Sequence, residues 1–103
     1  MLFRSLCSRE AVRILNEMQE KGLAIEFVEQ PVKAQDIDGL RYVTEHSDVP
    51  VLADESVFSP EDALRIMQTR AADLINIKLM KCGGLTNALK IASAAEEIGR
   101  AHV

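Results

Sequence analysis

Short apolar runs alternate with amphipathic segments along the chain. Apolar residues at helical spacing predict helices at about 8–21, 35–46, 60–70 and 86–98. Apolar runs of strand length lie between them, at about 24–29, 50–53 and 73–78. The predicted order is therefore one helix followed by three βα units, with a period of about 25 residues.

Local signals predict where the helices begin and which faces they bury. Ser59-Pro60-Glu61-Asp62 combines an N-cap serine, a proline at the first helical position and acids in the first turn, and so predicts a helix start. Ser8 is the predicted cap of the first helix. For the last two helices, the periodicity predicts these inward residues: Ala63, Leu64 and Met67, and then Ala88, Leu89, Ala92 and Ala95.

The strands indicate the fold class. Strands this apolar, each followed by a helix, imply a parallel sheet covered by helices on at least one face, so we predict an α/β fold of three consecutive βα units. Part of an eight-stranded TIM (β/α) barrel and a small open α/β sheet both satisfy this pattern. Part of a barrel would expose two strand edges and an uncovered inner face, which we expect to carry Ile25, Phe27, Leu52 and Ile75. We predict no further element after Gly99.

Composition excludes several classes of partner. The chain has 103 residues, of which 48% are apolar and 27% charged, as in a soluble globular domain. Its net charge of −4 provides no basic surface, so we expect no nucleic-acid partner. No apolar run approaches the roughly 20 residues of a spanning helix and no signal peptide is evident, so we expect no membrane partner and a cytoplasmic location. Cys7 and Cys82 are predicted to be reduced thiols.

The two ends differ in character from the rest of the chain. Leu2-Phe3-Arg4-Ser5 and the last four residues resemble translated sequencing adaptors rather than segments selected to fold. We therefore predict that residues 1–7 and 100–103 are non-native ends, in which case His102 has no catalytic role. The alternative is a genuine small protein with frayed ends.

Three polar residues close three successive predicted strands: Glu29, Asp54 and Lys78, 25 and 24 residues apart. The carboxyl ends of parallel strands are where α/β proteins place their chemistry. Glu29 and Asp54, on strands about 5 Å apart, could reach one magnesium-type ion, which prefers hard oxygen ligands. The alternative is that both acids cap helices or pair with lysine.

Lys78 is the candidate acid/base. If it is buried at this edge, we expect its pKa to be depressed enough for it to accept a proton near neutrality. The alternative is a structural salt bridge. Glu55 is expected to point away from Asp54 and is a candidate partner for Lys78, and Lys81 is expected to face solvent or pair within a loop.

The segments around these three residues resemble a known family. Phe27-Val28-Glu29-Gln30-Pro31, Leu52-Ala53-Asp54-Glu55-Ser56 and Asn76-Ile77-Lys78-Leu79-Met80-Lys81-Cys82-Gly83-Gly84 resemble the corresponding stretches of the enolase superfamily, muconate-lactonizing subgroup, especially the dipeptide (L-Ala-D/L-Glu) epimerases. The resemblance covers about 8–99. It implies that residues 1–103 are a fragment of a C-terminal modified TIM-barrel domain, from a parent that is a homo-oligomer.

The resemblance also implies a chemistry. Glu29 and Asp54 would be two of three Mg²⁺ ligands, and Lys78 would move a proton α to the carboxylate of a small-molecule substrate, a dipeptide or an acyl amino acid. The family's other metal ligand and second lysine precede residue 8, so we expect this chain to be inactive alone. Muconate cycloisomerase, o-succinylbenzoate synthase and N-acylamino acid racemase share these residues and remain alternatives, as does a non-catalytic α/β binding module.

Overall fold

The computed structural model describes residues 7–78, 84–98 and 101–102. A helix comes first, and strands then alternate with helices, as predicted. In chain order the elements are α1 (Ser8–Glu20), β1 (Val28–Glu29), α2 (Ile37–His46), β2 (Val51–Ala53), α3 (Pro60–Thr69), β3 (Leu74–Asn76), α4 (Leu85–Ile98) and β4 (Ala101–His102).

The strands form one parallel sheet in the order β1-β2-β3-β4. Its register pairs Val28 with Val51 and Leu52 with Leu74. A helix lies in each crossover, the kind of connection that parallel neighbours require. The predicted α/β fold class, with consecutive βα units around a parallel sheet, is confirmed.

The fourth strand was not predicted. Ile75 pairs with Ala101 and Asn76 with His102, so the expectation that no element follows Gly99 was wrong. A two-residue strand is defined by its backbone pairing with a neighbour, and so short a segment has no side-chain periodicity to reveal it. Whether residues 1–7 and 100–103 are non-native stays a prediction.

One face of the sheet packs against the helices. The sheet contributes five buried side chains to this core, four from β1, β2 and β3 and one from the residue that follows β3: Val28, Val51, Ala53, Ile75 and Ile77. The predicted place of Ile75 on the uncovered face was wrong, because it pairs with Ala53 and shares that residue's face. Ile25 was also misplaced, since it packs against the same core.

The opposite face leads to the candidate site. Glu29, Leu52 and Leu74 are successive partners in the register and therefore share this face. Phe27, two residues before Glu29, is 38% exposed, as predicted for an uncovered face. Leu52 belongs to β2, which lies between β1 and β3, and is only 2% exposed. At this position the face is therefore not open to solvent.

Of the two predicted helix caps, Ser59 is confirmed and Ser8 is not. Ser59 caps α3, with its Oγ accepting a hydrogen bond of 3.2 Å from the backbone N–H of Asp62, as predicted. Asp36 caps α2 in the same way. Ser8 is the first helical residue of α1, and Cys7 occupies the cap position. The predicted cap at Ser8 was therefore wrong by one residue.

Two leucines predicted to face inward are exposed. Leu64 is 46% exposed and Leu89 is 59% exposed, whereas Ile66 and Ile91 are buried. Each isoleucine lies three residues after a buried alanine, on the stripe that a helix turns toward its neighbours. In the part of the chain that the structure describes, no helix has the length and apolarity needed to cross a bilayer.

Candidate active site

Asp54 lies directly after β2 and is buried, with its side chain 7% exposed. Its backbone N–H donates a hydrogen bond of 2.9 Å to Oε1 of Gln30. Its carbonyl accepts from the N–H of Val57 at 3.0 Å, which closes the turn toward α3. Both backbone groups of Asp54, its N–H and its carbonyl, are thus fixed by hydrogen bonds.

Lys78 and Asp54 meet across the carboxyl ends of β3 and β2. Nζ of Lys78 lies 2.9 Å from Oδ1 and 3.2 Å from Oδ2 of Asp54. Nδ2 of Asn76 lies 3.5 Å from the same Oδ1. The register pairs Ala53 with Ile75. The next residues, Asp54 and Asn76, therefore lie side by side on the same face of the sheet. The predicted convergence of Lys78 with Asp54 is present.

The expected direction of the Lys78 pKa shift was wrong. The hydrogen bond that Lys78 donates to Asp54 raises the pKa of Lys78, and so does the negative charge of Asp54, with smaller contributions from Glu55 and Glu29. Desolvation acts in the opposite direction and is outweighed. The physical reason is that the Lys78 side chain is 44% exposed and faces a carboxylate instead of lying in an apolar pocket.

Glu29 ends β1 on the same face, and its side chain is exposed. It is paired with Leu52, two residues before Asp54. The two acids are therefore offset along the strands and are not the direct neighbours that we expected. From a strand spacing of about 4.8 Å and a rise of about 3.3 Å per residue, their Cα atoms are roughly 8 Å apart. Two acidic side chains can converge on one ion across that separation.

The donor chemistry of this pair fits a hard divalent cation, because both groups are carboxylates. In residues 7–78, 84–98 and 101–102, no three His, Cys, Asp or Glu side chains are grouped to hold an ion. Glu29 and Asp54 are therefore candidate ligands, and the described part of the chain groups no third such side chain with them.

Two polar residues beside the site were missed by the sequence analysis. Gln30 and Ser56 are buried, at 1% and 5% exposure, and are hydrogen-bonded to each other. Gln30 follows Glu29 directly, and a polar residue between a strand-end acid and a proline was the available signal. Lys81 and Cys82, for which predictions were made, lie outside the described residues, as does the side chain of His102.

The parallel βα architecture places two acids and a lysine at the carboxyl ends of adjacent strands, where α/β proteins hold their chemistry. Residues 4–103 match the family described as Enolase C-terminal domain-like, and the chain belongs to that family. The resemblance noted in the sequence is confirmed.

Several of the relatives most similar to this chain are named epimerases, which are isomerases. The chain is 62% identical over 91 residues to an L-Ala-D/L-Glu epimerase of Clostridium acetobutylicum, covering 88% of this chain and 25% of the relative. It is 54% identical over 91 residues to the enzyme of the same name from Bacillus subtilis, with the same coverage of both chains. The chain thus spans about a quarter of the length of the curated relatives it matches.

Solved structures agree with the fold. A substrate-liganded complex of the L-Ala-D/L-Glu epimerase from Bacillus subtilis superimposes with a TM-score of 0.89 at 52% identity, covering 91% of this chain and 26% of that chain. A dipeptide epimerase from Enterococcus faecalis, complexed with Mg and the dipeptide L-Leu-L-Tyr, superimposes with a TM-score of 0.88 at 42% identity, covering 94% of this chain and 27% of that chain.

Proposed function

We propose that this chain is the part of a Mg²⁺-dependent dipeptide epimerase that supplies two cation ligands and one acid/base lysine. The observation that carries the proposal is the contact of Lys78 Nζ with Asp54 Oδ1 at 2.9 Å, on the sheet face that also holds Glu29. The names of the relatives support the reaction, and the Mg and dipeptide in the Enterococcus faecalis structure support the cation and the substrate class.

Glu29 and Asp54 would hold the cation. When bound, a divalent cation supplies positive charge to the substrate carboxylate, where negative charge develops as the α proton leaves. Asp54 is the more rigid ligand, because its side chain is buried and its backbone N–H and carbonyl are both hydrogen-bonded. Glu29 is exposed at the end of an edge strand and can adjust its longer side chain.

Lys78 would carry the proton. The raised pKa means that the arrangement described here is the ammonium form, which donates hydrogen bonds to Asp54 and can return a proton to the α carbon. The neutral amine is the form that accepts the α proton. Inversion at the α carbon also requires a group on the opposite face of the substrate, and we assign that group to the part of the enzyme outside this segment.

A racemase of acylated amino acids is the second candidate. The chain is 44% identical over 92 residues to an N-succinyl-L-Arg/Lys racemase of Bacillus cereus, which also covers 88% of this chain. The same Lys78 and carboxylate pair serves either substrate, since both carry a carboxylate next to the reacting carbon. The higher identity to the L-Ala-D/L-Glu epimerases favours the dipeptide.

A chimera tests the proposal. The matching 91-residue segment of the Bacillus subtilis epimerase is replaced by that of this chain, and α-proton exchange of L-Ala-L-Glu in D₂O is followed by NMR. We expect epimerisation by the chimera and a loss of about 10³-fold or more in Lys78→Ala, because catalytic residues act as a unit. The isolated 103-residue chain is expected to show no measurable turnover.

Lys90→Ala is the matched control, because Lys90 is an exposed lysine of α4. It should leave the rate of the chimera unchanged. A folded chimera without activity, or one in which Lys78→Ala retains full activity, would contradict the proposed function. Faster turnover of N-succinyl-L-Arg than of L-Ala-L-Glu would replace the dipeptide by the second candidate.

A further inference from the structure

The side chain of Gln30 uses all four hydrogen-bonding positions of its amide. Oε1 accepts from the backbone N–H groups of Asp54 at 2.9 Å and Ser56 at 3.2 Å. Nε2 donates to the carbonyl of Val32 at 3.1 Å and to Oγ of Ser56 at 2.8 Å. A primary amide has two donors and two acceptor positions, so this buried group is fully satisfied.

These bonds join the loop after β1 to the loop after β2. Ser56 extends the connection, since its Oγ donates to the carbonyl of Ala34 at 2.7 Å. The backbone of Gln30 has a φ of 39°, in the left-handed region that non-glycine residues rarely adopt. Such a conformation persists where surrounding contacts hold it, and it turns the Gln30 side chain toward the second loop.

The backbone hydrogen bonds between the two strands reach Gln30, whose N–H donates to the carbonyl of Leu52 at 2.8 Å, but the paired residues stop short of Asp54. The register between β1 and β2 pairs Glu29 with Leu52, and β2 ends at Ala53. Asp54 therefore lies beyond the paired part of the sheet. Gln30 follows Glu29 in the chain and binds the N–H of Asp54, so one side chain links the backbones of both carboxylate residues.

We propose that Gln30 is a positioning residue that sets the divalent-cation affinity of the Glu29 and Asp54 pair by clamping the two loops that carry them. This inference rests on the proposed function, which makes those acids cation ligands. Two carboxylates on one face repel each other, and a Mg²⁺ site tolerates little deviation from octahedral geometry. A fixed backbone separation keeps the pair close enough to share an ion.

The test is Mg²⁺ binding to the 103-residue chain. The ¹⁵N-labelled chain and its Gln30→Met variant are titrated with MgCl₂ at constant ionic strength, and the dissociation constant is taken from the amide shifts of Glu29 and Asp54. Methionine preserves the approximate shape of glutamine and removes all four hydrogen bonds. We expect Mg²⁺ binding to weaken by about tenfold. Losing a hydrogen bond that supports a metal ligand usually lowers metal affinity by about tenfold or more.

Gln35→Met is the matched control, because Gln35 is exposed in the same loop. It should bind Mg²⁺ as the unsubstituted chain does. Amide hydrogen exchange without Mg²⁺ gives a second readout, since the N–H groups of Asp54 and Ser56 should exchange faster in Gln30→Met and not in Gln35→Met.

Ser56→Ala decides the question if Gln30→Met does not fold. It removes one hydroxyl and retains both N–H bonds to Gln30, so we expect a weakening of about threefold, in the same direction. Ser93→Ala, at an exposed serine of α4, is its control. Unchanged Mg²⁺ affinity in Ser56→Ala and in any folded Gln30→Met would overturn the inference.

The outcomes separate this inference from the proposed function. A lower melting temperature or faster exchange with unchanged Mg²⁺ affinity shows that Gln30 only stabilises the fold, which overturns the positioning role and leaves the cation site standing. Mg²⁺ shifts that persist in Asp54→Asn show that the ion binds elsewhere. That result contradicts the proposed cation site, and the inference about Gln30 fails with it.

Discussion

Nζ of Lys78 lies 2.9 Å from Oδ1 of Asp54, and this contact joins the residues that follow β3 and β2. In the proposed function, Asp54 is a cation ligand and Lys78 is the acid/base. The same carboxylate therefore has two possible positive partners, an ammonium group and a divalent cation. Changes at Asp54 should affect both the proton affinity of Lys78 and the affinity for the cation.

Asp54→Asn is expected to lower the pKa of Lys78. The hydrogen bond and the charge of Asp54 are the largest causes of the raised pKa, and an amide supplies no charge. The measurement is an NMR titration of the Lys78 side chain with pH. Asp38→Asn is the control, because Asp38 is an exposed acid on α2. An unchanged Lys78 pKa in Asp54→Asn would show that the ion pair does not persist in solution.

Lys78 should contribute stability at neutral pH that disappears in alkali. Its pKa is raised in the folded state, so the contribution is complete below the ordinary lysine pKa of about 10.4 and is lost as the pH rises through the folded value. Lys78→Met should melt below the unsubstituted chain at pH 8, and the difference should shrink as the pH rises beyond about 10.4. The effect is small, since Lys78 is half-exposed. A difference that grows with pH would contradict the assignment.

Mg²⁺ should bind the isolated chain weakly, with a dissociation constant of about a millimolar or more, because two carboxylates leave the ion mostly hydrated. Isothermal titration calorimetry at low ionic strength measures this. The heat should vanish in Asp54→Asn and remain in Asp38→Asn. Micromolar binding that is lost in Asp54→Asn would mean that the chain supplies a more complete site than Glu29 and Asp54.

The isolated chain should be marginally stable or self-associating. Phe27 is 38% exposed on the face opposite the helices, and β1 presents an open strand edge. Size-exclusion chromatography with light scattering and thermal unfolding by circular dichroism measure this. Phe27→Ser, which makes that face more polar, should reduce self-association. A sharp monomeric transition above about 60 °C would instead support an independent α/β module.

The sequence alone determined the order of the elements from α1 to α4, because apolar periodicity and capping are local properties. Ser59-Pro60 predicted the start of α3 to the residue, since the cap bond spans only three positions. The positions of Glu29, Asp54 and Lys78 at successive strand ends were predicted from their regular spacing. The family followed from the motifs around them and was confirmed by the comparison.

Tertiary structure decided what depends on partners distant in the chain. β1 extends only over Val28–Glu29, shorter than the predicted 24–29, because a strand lasts only as long as its neighbour pairs with it. The direction of the Lys78 pKa shift required knowing that Asp54, 24 residues earlier, reaches its amine. Gln30 binds backbone groups 24 and 26 residues away, so only the folded loops reveal its contacts. Local patterns specify elements, whereas charges and hydrogen bonds across strand ends depend on packing.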